Sequence, residues 1–112
     1  MSGGDWKEMY VGAQRGDLEL VKYHILNGID PNYQHPEILS TPLVAAIIEG
    51  NIDIAMFLIE NGADITLVSD FDMMTPMQAA KMYKRTEIIK ILEKMLPPEK
   101  SFLNKLIDRF RK

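Results

Sequence analysis

The chain has 112 residues, 46% of them hydrophobic, with a formal net charge of −3. That is apolar material for one packed domain or a short array, and too much for a disordered chain. The absence of cysteine excludes disulfides and thiolate metal sites, and no apolar run reaches the ~18 residues that a membrane-spanning helix needs. The charge is uneven: residues 1–80 carry 3 basic and 12 acidic side chains, and residues 81–112 carry 10 basic and 4 acidic. An acidic body with a basic C-terminal third can orient association.

Residues 1–4 lack the basic region and apolar run of a secretory signal, and are expected to form a flexible lead. From residue 5 a unit of 34 residues recurs. Gly16-Asp17-Leu18-Glu19-Leu20 returns as Gly50-Asn51-Ile52-Asp53-Ile54, Gly28-Ile29-Asp30 as Gly62-Ala63-Asp64, and Thr41-Pro42-Leu43 as Thr75-Pro76-Met77. A period of this length means stacked units that bury their apolar faces against one another. The expected units are 5–40, 41–74 and 75–96, each a helix, a tight turn, a second helix and an extended finger.

In the first unit, Leu18, Val21, Tyr23 and Ile25 give the second helix its apolar face. In the second, Thr41 is an N-cap and Pro42 sits at the first helical position. Leu43, Ala45, Ala46 and Ile47 make that helix small-sided, which lets helices approach closely. Thr75 and Gln78 give the third unit a T-x-x-Q capping box, an option that Val44 denies the second. Asp17 and Asn51 are expected caps of the second helices, and Gly28 and Gly62 their left-handed stops. Ile25 and Ile59 are matched by Glu93 in the third unit, a charge that ends the stack there.

Pro97-Pro98 breaks the last helix, and 99–112 reads as another. Phe102, Leu103, Leu106, Ile107 and Phe110 fall within an arc of about 140°. This stripe is expected to cap the third unit against Ile88–Leu96. A basic amphipathic helix also suits a membrane surface or a partner's groove.

The pattern Thr-Pro-Leu-x-x-Ala, then Gly-Asn-x-x-x-Ala-x-x-Leu-Ile-x-x-Gly-Ala-Asp, seen best in Thr41–Asp64, resembles the ankyrin repeat. The resemblance covers roughly residues 5–96, the first repeat being degenerate, with Lys7 in place of Thr. It implies an all-α solenoid of three repeats. It also implies a non-catalytic cytoplasmic module that binds a protein partner as a monomer, without a cofactor. The chain departs from the family in three ways. Val44 and Gln78 replace the usual His. The stretch from Gly28 to Thr41, like that from Gly62 to Thr75, is one residue longer than is typical. Leu39 and Met73 stand where a finger glycine is expected, so the fingers are expected to be shaped differently.

No catalytic constellation is present. His24 occupies the register of Leu58 and Leu92 and reads as a packing residue, while His35 reads as an exposed finger residue. Asp64, Asp70 and Asp72 lack the glycine turn and twelfth-position Glu of a calcium loop. The acidic chain also lacks a stacking platform for nucleic acid.

The resemblance places partner contacts on the fingers and first-helix ends. Those positions are Gln14, Arg15, Glu37, Ile38, Ser40, Ile48, Glu49, Phe71, Asp72, Met74, Met82 and Tyr83. Six of them are apolar or aromatic, and exposed apolar groups of this kind mark interaction sites. The alternative for the second finger is that it folds back and buries Phe71, Met73 and Met74. The rival to a protein-binding module is a membrane-associated adaptor that uses the C-terminal helix.

Overall fold

Thr41 and Thr75 begin helices in the same way. Each sits in extended backbone, and its hydroxyl accepts from the amide three residues on, Val44 and Gln78, both at 3.2 Å. Pro42 and Pro76 follow, where a missing N–H costs nothing. The computed structural model describes residues 3–96, and six helices run through them. These are α1 (Gly3–Arg15), α2 (Leu18–Leu26), α3 (Pro42–Glu49), α4 (Ile52–Glu60), α5 (Pro76–Met82) and α6 (Thr86–Met95). Without a Thr-Pro start, α1 extends back to Gly3, into the stretch expected to be a flexible lead. The C-terminal segment 97–112, with its expected capping helix, lies outside the described residues.

The helices α1, α3 and α5 pack in one row, and α2, α4 and α6 in a second. Between the rows lie Ile47, Ile54, Leu58, Ile88 and Leu92, all removed from water. Each such side chain contributes about 2 kcal/mol through burial, before entropy is counted. Ala46 and Ala80 share one register and are fully buried, so the first-row helices approach closely. In α2 it is His24 that turns inward, 5% exposed, while Tyr23, expected on the apolar face, is 62% exposed. Glu93 is exposed, whereas Ile59, one repeat earlier, is buried.

The second helices end as expected. At Gly28 (φ 94°) the N–H groups of Gly28 and Ile29 donate back to the Ile25 and His24 carbonyls. At Gly62 (φ 99°) Ala63 donates to Leu58 in the same way. The turns after α1 and α3 use Gly16 and Gly50, but the third repeat has Lys84 at that register, and Lys84 still takes φ 57°. Leu39 and Met73 likewise adopt φ 59° and 55°. The fingers therefore keep a left-handed turn where a glycine was expected. The cost is strain of about 1–2 kcal/mol at each non-glycine position.

Candidate protein-binding face

Three polar ties hold one repeat against the next, and they fix the geometry of the face. The first is at the helix turns. Asn51 was expected to cap α4, but its side chain makes no such bond. Its Nδ2 instead donates to the Ala13 and Gln14 carbonyls at 2.9 and 3.0 Å. Arg85, one repeat on, donates from Nε and Nη2 to the Ile47 and Ile48 carbonyls at 2.8 and 2.7 Å. The end of a helix leaves carbonyls short of donors, and a side chain from the following repeat supplies them. Of the three residues at this register only Asp17 caps its own helix, through Leu20 N–H at 3.2 Å. Gly50 makes room for the Arg85 contact: a Cβ there would meet the guanidinium at 3.1 Å.

The second tie joins the fingers. The Asn32 amide donates to Gly62 O at 3.0 Å and accepts from Asp64 N–H at 2.7 Å. Gln34 does the same with Val68 O at 3.0 Å and Asp70 N–H at 3.1 Å. Phe71 N–H donates to Leu39 O at 2.8 Å. Each side-chain amide acts as a length of backbone.

The third tie is buried. Ser69 Oγ, fully enclosed, accepts from Thr41 N–H at 2.9 Å and donates to Asp72 Oδ2 at 2.7 Å. Ser40 Oγ donates to the same oxygen at 3.2 Å. In α5 the corresponding amide, Thr75 N–H, is taken locally by Gln78 Oε1 at 2.9 Å, completing the expected capping box. Val44 cannot serve Thr41 in this way, so the next finger does.

The twelve anticipated contact positions divide on this frame. Gln14, Ile48, Glu49 and Asp72 come together with Tyr10 and Ala45 around a hollow of about 100 Å³. Met82 and Tyr83 occupy the register of Ile48 and Glu49 one repeat on, on α5, which packs beside α3. Phe71 is 73% exposed, Met82 66% and Tyr83 39%, so these three are open to a partner. Arg85, fixed by the α3 carbonyls, lies 6.0 Å from the Tyr83 ring and holds it by cation–π attraction. Arg15 and Glu37 are exposed, and Glu37 pairs with Lys7 at 3.6 Å, an exposed pair worth little.

Ile38, Ile48 and Met74 are half-buried against the core. Ser40 is buried at 2% exposure with its hydroxyl committed to Asp72, so as a contact residue it is corrected to a supporting one. The fold-back alternative holds for Met74 and fails for Phe71 and for Met73, which is 82% exposed.

Both histidines pack. His24 Nε2 lies 3.3 Å from Glu8 Oε1. His35, expected to be exposed, is buried, because its ring stacks on Trp6 at 5.8 Å and Trp6 stacks in turn on Tyr10 at 5.2 Å. Burial raises the Tyr10 phenol above its ordinary 10.0, against a Ser40 hydrogen bond that lowers it; the negative charges of Asp72 and Glu49 add to the rise.

The stacked pairs, the shared caps and the 34-residue register agree with a sequence comparison. A family model described as ankyrin repeats, in three copies, matches residues 9–99. The chain belongs to the ankyrin-repeat family. It is 35% identical over 65 residues to the mouse histone-lysine N-methyltransferase EHMT1, covering 57% of this chain and 5% of that one. It is 30% identical over 86 residues to the fruit-fly (Drosophila melanogaster) ARF GTPase-activating protein Git, covering 77% and 12%. A putative ankyrin repeat protein of fowlpox virus, FPV024, is 39% identical over 59 residues, covering 53% and 10%. The chain thus spans about a tenth or less of the length of these relatives. Ankyrin repeats are protein–protein interaction modules, typically non-catalytic. Among the described residues no helix is long and apolar enough to cross a membrane.

Proposed function

We propose that this ankyrin module binds a protein partner on the face made by Phe71, Met82 and Tyr83, with Ile48 and Met74 behind them. The observation that carries the reading is the exposure of three large apolar side chains at finger and first-helix positions. Leaving such groups in water gains the folded chain nothing, and grouped exposure of this kind accompanies docking surfaces. Tyrosine and methionine suit the role, the first as a rigid anchor and the second as an adaptable one. The ties at Asn32, Gln34, Asn51 and Arg85 hold the face in one shape, which lowers the entropic cost of binding.

The test compares affinity capture by the whole chain with capture by Phe71→Ala/Tyr83→Ala, followed by mass spectrometry. Proteins held by the parent and lost by the variant, at unchanged melting temperature, support the reading. An identical captured set would overturn it.

A further inference from the structure

The hollow beside the apolar face has a chemistry of its own. Its walls are Tyr10, Gln14, Ala45, Ile48, Glu49 and Asp72. Ala45 and Ile48 give an aliphatic side, while Glu49 and Asp72 supply two carboxylates. The Asp72 carboxylate is held in place by two serine hydroxyls, at 2.7 and 3.2 Å. Among the described residues, no basic side chain pairs with either carboxylate.

Glu49 is the last residue of α3, a helix with no basic residue in its own last turn. Arg85 reaches the end of α3 but spends its donors on the Ile47 and Ile48 carbonyls and makes no ion pair with Glu49. The same register in α1 holds Arg15, the charge the dipole favours. A second carboxylate across the hollow adds repulsion. Residues 1–80, which supply every wall of the hollow, carry 12 acidic side chains against 3 basic.

We infer that the hollow receives a basic side chain of a partner peptide, arginine or lysine, whose neighbouring apolar residue rests on Phe71, Met82 and Tyr83. The aliphatic stem lies along Ile48 and Ala45, and the cationic head meets Glu49 and Asp72. The hollow, of about 100 Å³, is open to solvent and admits such a head. This assignment rests on the protein-binding reading above, and commits that reading to a basic, apolar-flanked segment.

The test selects peptides from a displayed library of random 12-residue sequences on the whole chain, then measures the synthesised winners by fluorescence polarisation. The winners are expected to share an arginine or lysine beside an aromatic or aliphatic residue. Glu49→Gln should weaken them by roughly three- to tenfold and flatten the salt dependence. Changing the peptide's basic residue to Met should cost the same, with little further loss in Glu49→Gln, as a double-mutant cycle requires. Glu49 is exposed, so its variant keeps the fold.

Winners without a basic residue would overturn the inference. So would winners that Phe71→Ala weakens and Glu49→Gln does not, an outcome that leaves the apolar face standing. Winners indifferent to both variants, or no winners at all, count against the face itself. A synthetic peptide of residues 99–112 serves as the control. Binding tighter than every winner would give the hollow to this chain's own basic segment and overturn its assignment to a partner.

Discussion

Ser69→Ala removes one oxygen from the middle of the array, and two bonds go with it. Thr41 N–H loses its acceptor at 2.9 Å, and Asp72 loses its donor at 2.7 Å. Thr41 is 3% exposed and Ser69 not at all, so water does not replace the lost acceptor. A buried amide left without a partner costs about 1–3 kcal/mol. Asp72 is only half-buried and still has Ser40, so its loss is the smaller part. The sum is about 2–3 kcal/mol, or a fall of about 10 °C or more in melting temperature for a chain of this size. Gln78→Ala is the matched comparison, because Gln78 serves Thr75 N–H as Ser69 serves Thr41 N–H. Gln78 is exposed, water takes its place, and the expected cost is about 0.5 kcal/mol. Urea titrations followed by circular dichroism on the whole chain measure both. If Ser69→Ala cost no more than Gln78→Ala, the second finger would not be what satisfies the α3 cap.

Gly62→Val is expected to destabilise by about 1 kcal/mol or more in the same titration, purely through φ, since no atom lies within 4 Å of an added Cβ. Met73→Gly and Lys84→Gly should each be neutral or stabilising by up to about 1 kcal/mol, because glycine relieves the left-handed strain at exposed positions; a clear loss would show that those side chains pack. Arg85→Ala should cost about 1–2 kcal/mol by removing the Arg85 donor from the Ile48 carbonyl and leaving the Ile47 carbonyl with Gly50 N–H alone, and should loosen Tyr83, read as a change in its ring fluorescence. The Tyr10 phenol, raised on folding, contributes stability that is whole below pH 10.0 and is lost as pH climbs through the folded value; Tyr10→Phe should remove that part of the alkaline decline.

The helix starts and stops were legible because each is local. Thr41-Pro42 and Thr75-Pro76 carry their own caps, and Gly28 and Gly62 their own left-handed turns. The 34-residue period gave the stacking, since a register needs no knowledge of contacts. What escaped was every tie that crosses between repeats. Asn51 looked like a cap because Asn caps helices, yet its side chain donates to the Ala13 and Gln14 carbonyls and makes no bond to an α4 amide. His35 looked exposed beside Pro36, but Trp6, 29 positions earlier in the chain, covers it.

A signal for these ties did exist, in the places where the repeats disagree. Asn32 and Gln34 have Thr66 and Val68 as their counterparts, and the first pair clamps the following finger. Gln78 has Val44 as its counterpart, and only Val44 has a Ser69 to do its work. Asp17, Asn51 and Arg85 share one register: the first caps itself and the other two reach back one repeat. In a stacked array, a residue that departs from its repeat mates either marks an end of the stack or answers a neighbour. The same reasoning applies to the face. Arg15, Glu49 and Tyr83 share a register at the ends of the first-row helices, and no helix is closed there through their side chains. Position by position they set charge and apolar character along one open side, basic in the first repeat, acidic in the second and aromatic in the third. Variation where the fold makes no demand is where a partner can be read.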